Sequence, residues 1–203
     1  MRESMLIGSM LNNSESWINL TKVDLETLAK PDTILQRNIF ENKGNPSKVF
    51  MSIELGVIPV SFVIMEKQLN FLKYILEQSM SSMLRQVYET LKKDSVKGDF
   101  IYLIEKDMDQ LNITFTEEEI QGMTKPQWKK YVHSIVSEKA FEYLKEENEN
   151  KTKTKHIDFE KLCMSDYLVH NKNTILSKVI FSARSGTLDL KVWKEWKYSE
   201  KHV

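Results

Sequence analysis

Cysteine is almost missing from this chain. Cys163 is the only one in 203 residues, which excludes a disulfide framework and any cysteine-rich zinc site within the chain. Glycine and proline are also scarce, 6 and 4 respectively, leaving little material for hairpin turns. Charge of either sign is not in excess. Lys+Arg and Asp+Glu both total 29, and this balance counts against a freestanding nucleic-acid binder, which carries a basic surplus. The longest apolar run, Val57–Met65, is far short of the ~18–20 residues of a membrane span. The N-terminus has no apolar signal region, being interrupted by Arg2, Glu3 and the polar "NNSES". The glycosylation sequons at Asn12, Asn19, Asn112 and Asn150 are therefore read as chance. The expectation is an intracellular protein, cytoplasmic or nuclear, with no membrane partner.

Chemistry-bearing constellations are missing too. There is no phosphate-cradling glycine loop. His133, His156, His170 and His202 form no pair at ligand spacing on a helix. Asp107 and Asp109 make a D-x-D, but on a helix the two side chains point roughly 200° apart, so they are read as a solvated face. Cys163 lies in an amphipathic pattern and reads as a small core residue. The sequence predicts no catalytic residue, no metal and no cofactor.

What is present is material for helices. Apolar residues make up 41% of the chain, and Leu, Lys, Glu and Met are plentiful. "RESMLIGSMLNN" reads as a short helix. Thr21 and Asp24 resemble a capping box, and the helix behind it sets Leu25, Leu28, Leu35 and Ile39 on one face. Pro31 should kink or restart that helix. Val49, Phe50 and Ile53 form a face of the next, with Gly56 as a left-handed C-cap and Pro59 opening a further helix. That helix carries Met65, Leu69, Leu72 and Leu76 inward. Met83, Leu84, Val87, Tyr88 and Leu91 give the cleanest amphipathic pattern.

After the polar "DSVKGD", Asp99 caps a helix through Leu111, and Thr116 with Glu119 forms another capping box. Lys125-Pro126 opens a long helix with Trp128, Tyr131, Val132, Ile135, Val136 and Tyr143 inward. "KEENENKTKTKH" reads as an exposed linker. Its Lys151, Lys153, Lys155 and His156 are nearly cancelled by Glu146, Glu147 and Glu149. "DFEKLCMSDYL" and "TILSKVIFSAR" read as two more helices, the second ending at Gly186, followed by an aromatic, basic tail. The fold class is all-α: a bundle of about nine or ten helices in two packed subdomains, 1–96 and 97–203.

Four stretches resemble, in order, the region that follows the polymerase palm in reverse transcriptases of LINE-like non-LTR retrotransposons. They are "RESMLIGSMLNNSESWINLTKVDLETL", "SKVFMSIELGVIPVSFVIMEKQLNFLKYIL", "GDFIYLIEKDMDQLNITFTEEEIQGMTKPQWKKYVHSIVSEKAFEYL" and "KLCMSDYLVHNKNTILSKVIFSARSGTLDLK". Together they cover nearly the whole chain. The resemblance implies thumb and post-thumb helices, with "ELGVIPVSFVIMEKQLNFL" as a helix-turn-helix core. It implies a non-catalytic fragment whose partners are the missing palm domain and template RNA or an RNA–DNA duplex, bound weakly by the fragment alone. The family commonly has arginines where this chain has Glu66 and Lys67. No Asp-Asp pair exists here to serve as palm aspartates. Arg37, Lys43, Lys48, Lys67 and Lys73, spread near predicted helix faces, are the candidate nucleic-acid contacts. The competing expectation is a helical protein-interaction module without nucleic-acid function.

Overall fold

The structure is a computed structural model that describes residues 6–40, 45–94, 96–154, 157–169 and 174–187. Ten α-helices account for most of these residues. In chain order they are α1 (Gly8–Met10), α2 (Lys22–Phe40), α3 (Lys48–Glu54), α4 (Val60–Leu76), α5 (Met83–Lys93), α6 (Phe100–Gln110), α7 (Glu117–Gly122), α8 (Lys125–Glu149), α9 (Asp166–Val169) and α10 (Thr174–Arg184). A 3-10 turn, Ser14–Ser16, follows α1. Among the described residues there is no strand, only an isolated bridge between Leu55 and Met164. The all-α expectation holds.

Local signals fix several of the helix ends. Thr21 and Asp24 exchange hydrogen bonds of 2.9 and 3.2 Å ahead of α2, which satisfies backbone N–H groups that a helix start leaves unpaired. Thr116 and Glu119 do the same for α7. Asp99 accepts from the Tyr102 N–H at 2.8 Å and the Val96 N–H at 2.7 Å, and these bonds hold its carboxyl below the usual range. Gly56 has φ +63°. Its N–H donates to the Ile53 carbonyl at 3.0 Å, while the Val57 N–H reaches back to Ser52 at 2.8 Å. That pair of bonds is a Schellman cap. Gly186, φ +62°, ends α10 in the same way, through bonds to Ala183 and Ser182.

The chain divides into two units, but not at 96/97. The first takes residues up to Asp32 and Ile58–Glu142; the second takes Thr33–Val57 and the residues from Tyr143 on. The turn around Gly98 is real, yet α5 and α6 pack on each other and both pack on α4. A polar turn marks where the chain bends and carries no information on which helices then pack together.

In the first unit α4 is the central rod. Val60, Phe62, Ile64, Met65, Leu69, Leu72, Ile75 and Leu76 are all buried, and the 3-10 turn, α5, α6 and α7 lie against it. Ile7, Leu11, Val60 and Ile64 form a cluster flanked by Trp17, Leu20, Leu25 and Leu28. Trp128 is fully buried, with its indole N–H donating to the Leu69 carbonyl at 3.2 Å. The second unit is built on rings. Phe181 stacks on Phe40 at 3.5 Å between centroids and tilts against Phe50 at 5.6 Å, and Phe159 meets Phe50 edge-on at 6.0 Å.

Several expectations are corrected. Helix α2 runs through Pro31 without restarting, and its later turns bury Asp32, Gln36 and Phe40 while Ile39 is half exposed. On α5, Tyr88 is buried as expected, but Met83 and Val87 face outward and Arg85 is buried in their place. Tyr143 is exposed on α8. The supposed linker continues α8 to Glu149 and contains a buried pair: Asn148 and Thr154 exchange bonds of 3.0 and 2.6 Å. Only the last three residues of "DFEKLCMSDYL" are helical, as the start of Asp166–Val169. Cys163 is exposed, because its backbone rather than its side chain lies against Gly56. The tail beyond residue 187, Lys155 and His156 lie outside the described residues.

Candidate functional site

Within the first unit, one face of α4 and the opening turns of α8 enclose a cleft of about 420 Å³. Helical spacing places Lys67, Asn70, Phe71 and Tyr74 of α4 along it. Lys125, Trp128 and Lys129 come from the start of α8, and Glu15 from the 3-10 turn. The floor is apolar and aromatic: Trp128 is buried, and Phe71 stacks with Tyr74 at 6.1 Å and 15° between planes. Tyr74 is 46% exposed, so part of its ring is offered to solvent.

The lysines differ in what holds them. Lys73 is buried, and its Nζ donates to the carbonyls of Ile120, Gln121 and Met123 at 2.7, 3.0 and 2.6 Å. These are carbonyls at the C-terminal end of α7, where the helix dipole favours a cation. Glu77 lies 3.3 Å from the same nitrogen. Lys67 donates to the Leu11 carbonyl at 2.7 Å and lies 3.9 Å from Glu15. Lys125 pairs with Glu77 at 3.2 Å but is 63% exposed, and Lys129 is exposed. Burial pushes the Glu77 carboxyl up, but hydrogen bonds and charge from Lys125 and Lys73 outweigh it and hold it below the usual range. Asn70 donates through Nδ2 to the Glu66 carbonyl at 2.9 Å, while its Oδ1 is buried with no hydrogen-bond partner. The cleft thus combines a cationic rim with a partly open ring, which together suit an anionic, aromatic ligand.

Of the five candidate contacts, Lys67 and Lys73 line this cleft. Lys73 serves there as a helix cap, with its ammonium turned inward. Arg37 and Lys48 belong to the second unit. Arg37 is exposed and donates to Asn45 Oδ1 at 2.9 Å, and Lys48 is exposed at the first position of α3. Lys43 lies outside the described residues. Sequence reasoning missed Lys125, Lys129, Asn70 and Tyr74. The signal for the first two was available: "KPQWKK" starts a helix with lysines four apart, hence on one face.

A second polar knot in the same unit gathers on Glu117. Tyr88 Oη donates to it at 2.7 Å, Lys92 Nζ lies 2.6 Å away and Arg85 Nη2 3.8 Å. Burial and the adjacent Glu117 raise the Tyr88 phenol well above its ordinary value. The residues at 85, 88 and 92 share one face of α5, so this knot pins α5 to the start of α7. No group of three or more His, Cys, Asp or Glu among the described residues could hold a metal ion. No described helix is long and apolar enough to cross a membrane. No protein-family model, curated protein sequence or solved structure matches the chain.

Proposed function

We propose that this chain is the helical segment after the thumb of a LINE-like reverse transcriptase, non-catalytic by itself, whose α4–α8 cleft helps to hold template RNA or the primer duplex. The order of the four resembling stretches supports the reading. The observation that carries it is the cleft: exposed Lys125 and Lys129 beside the half-open Tyr74 ring suit a phosphate backbone with a base stacked next to it. Its natural partners are then the palm domain and the nucleic acid. Zero net charge makes binding by the isolated chain weak and steeply salt-dependent. Fluorescence anisotropy with labelled RNA and RNA–DNA duplex, across a salt series, tests this. Lys125→Gln with Lys129→Gln should weaken binding at low salt and flatten the log–log salt slope by about 1–2. Unchanged affinity and slope would sink the assignment. Primer extension by the chain alone, with Mg²⁺ or Mn²⁺, should stay at background.

The second reading is a helical protein-interaction module, and one observation favours it. Met83 is 81% and Val87 50% exposed on one face of α5, beside Met80 at 65%, an apolar strip of the kind that meets a partner. Under this reading Met83→Lys with Val87→Lys abolishes partner binding and leaves nucleic-acid affinity untouched.

A further inference from the structure

Away from that cleft, α4, α6 and the segment Trp17–Leu25 surround a second cavity of about 240 Å³ in the same unit. Its walls mix apolar side chains, Trp17, Leu20, Phe62, Ile64 and Leu103 among them, with neutral polar ones such as Asn19, Gln68 and Gln110, and Asp107 is the one acid. Asp107 is only 9% exposed, and its Oδ2 is buried with no hydrogen-bond partner. Buried polar atoms almost always find partners, and an unpaired one implies an unmet requirement. A divalent metal does not fit, since protein sites for such ions gather several carboxylates, and Asp107 is the one acid on these walls.

We propose that this cavity is a binding site for an organic cation, a primary ammonium on a short apolar stem, with Asp107 taking the charge and the apolar wall taking the stem. The fit follows from charge and polarity together. A charge-assisted bond to Asp107 offsets its buried charge, and burial of the stem supplies the apolar contribution. Trp17 and Phe62 add ring faces suited to a cation. Lys106 is the other charged side chain on these walls, and neither α4 nor the Trp17–Leu25 segment contributes one. Lys106 is exposed and next in sequence to Asp107, so solvent screens its charge. Burial raises the Asp107 carboxyl to about 6, opposed by the Lys106 charge, so the acid is ionised and competent for a cation at neutral pH. This inference stands independently of the reverse-transcriptase reading.

The test uses the full chain with three probes: pentylamine, the neutral isostere pentanol, and Nα-acetyl-lysine methylamide. Calorimetry and amide chemical-shift mapping would follow binding. Pentylamine should bind with shifts centred on Leu103–Gln110, at least tenfold more tightly than pentanol. Its affinity should rise as pH passes upward through about 6 and fall tenfold or more in Asp107→Asn. Binding of the lysine derivative as well would assign the ligand to a protein side chain; binding of pentylamine alone would assign it to a free amine. Equal affinity for amine and alcohol, no pH dependence, or undiminished binding by Asp107→Asn overturns the site. Should Asp107→Asn fold poorly, the wild-type pH profile and the alcohol comparison decide the matter.

Discussion

Two of the buried carboxylates, one in each unit, are held in opposite ways. Glu54, at the end of α3 in the second unit, is completely buried and fully engaged. Arg184 Nε donates to its Oε1 at 2.7 Å and Ser165 Oγ to its Oε2 at 2.5 Å. The Arg184 guanidinium lies 5.9 Å from both the Phe159 and Tyr167 rings, and the Ser165 N–H bonds the Glu54 carbonyl at 2.9 Å. Burial and the Glu54 charge raise the Tyr167 phenol well above its ordinary value. Asp107, on α6 of the first unit, is nearly as buried, but its Oδ2 has no hydrogen-bond partner. The difference separates structural use of a buried charge from a poised one. A paired carboxylate is offset by its partners and fixes local geometry, whereas an unpartnered one weakens the fold it sits in.

Making Glu54 resemble Asp107 should have the largest effect. Arg184→Met keeps the aliphatic bulk and removes the cation, stranding a carboxylate that is 0% exposed. We expect a loss of about 3–5 kcal/mol, the usual result of breaking a buried pair from one side, measured by urea denaturation. A loss below about 1 kcal/mol would mean that Ser165 and water suffice, and the contrast with Asp107 would collapse.

Gly56 tests whether the backbone around Glu54 builds that partner set. A Cβ on Gly56 would sit 2.5 Å from the Met164 nitrogen and 2.6 Å from the Cys163 carbonyl carbon, next to the residue that bonds Glu54. Positive φ adds its own cost. Gly56→Ala should therefore destabilise by roughly 2–3 kcal/mol, and thermal unfolding would show it. A neutral Gly56→Ala would indicate that this close approach is easily relaxed.

The opposite sign is expected at Asp107. Its folded value, about 6, lies above the ordinary 3.8, so the folded state holds its proton more tightly than the unfolded one. Stability from this group is complete below pH 3.8 and is lost as pH rises through 6. Asp107→Asn should thus stabilise the chain by on the order of 1–3 kcal/mol at pH 8, and the gain should vanish near pH 4. Paired denaturation curves at the two pH values check both sign and window. Destabilisation at pH 8 would show that the carboxylate has a partner after all.

The sequence made one side of this contrast harder to see than the other. Capping boxes at Thr21 and Thr116, the Asp99 cap and the left-handed glycines 56 and 186 were readable because each is closed by residues a few positions apart. The buried faces of α2 and α5 were not. Arg85 is inside with Glu89 at 2.6 Å, four positions on, and Glu117 at 3.8 Å, 32 positions on, and Glu54 is inside because the part-buried Arg184 meets it. The long-range pairings reverse the usual polarity rule without leaving a local pattern. Asp107 was read as solvated for the same reason, since a D-x-D spacing says that two acids diverge and not which one turns inward. In the cleft, Lys67 was legible as a basic residue on a helix, but only the approach of α8 adds Lys125 and Lys129.

The smallest expected effect isolates Lys106, the charge next to Asp107 on its own helix. Lys106 is exposed and lowers the Asp107 carboxyl by charge alone, against the larger upward push of burial. Solvent screens such a pair heavily. Lys106→Gln should therefore raise the Asp107 titration midpoint by only a few tenths of a pH unit, read by carboxyl carbon NMR from pH 4 to 8. It should leave stability at pH 4 unchanged, because the acid is then largely protonated in the folded state. A drop in the midpoint would mean that Lys106 keeps water away from Asp107 more than it attracts the carboxylate. A rise of a full unit or more would make Lys106 a true partner, and Asp107 would then belong with Glu54.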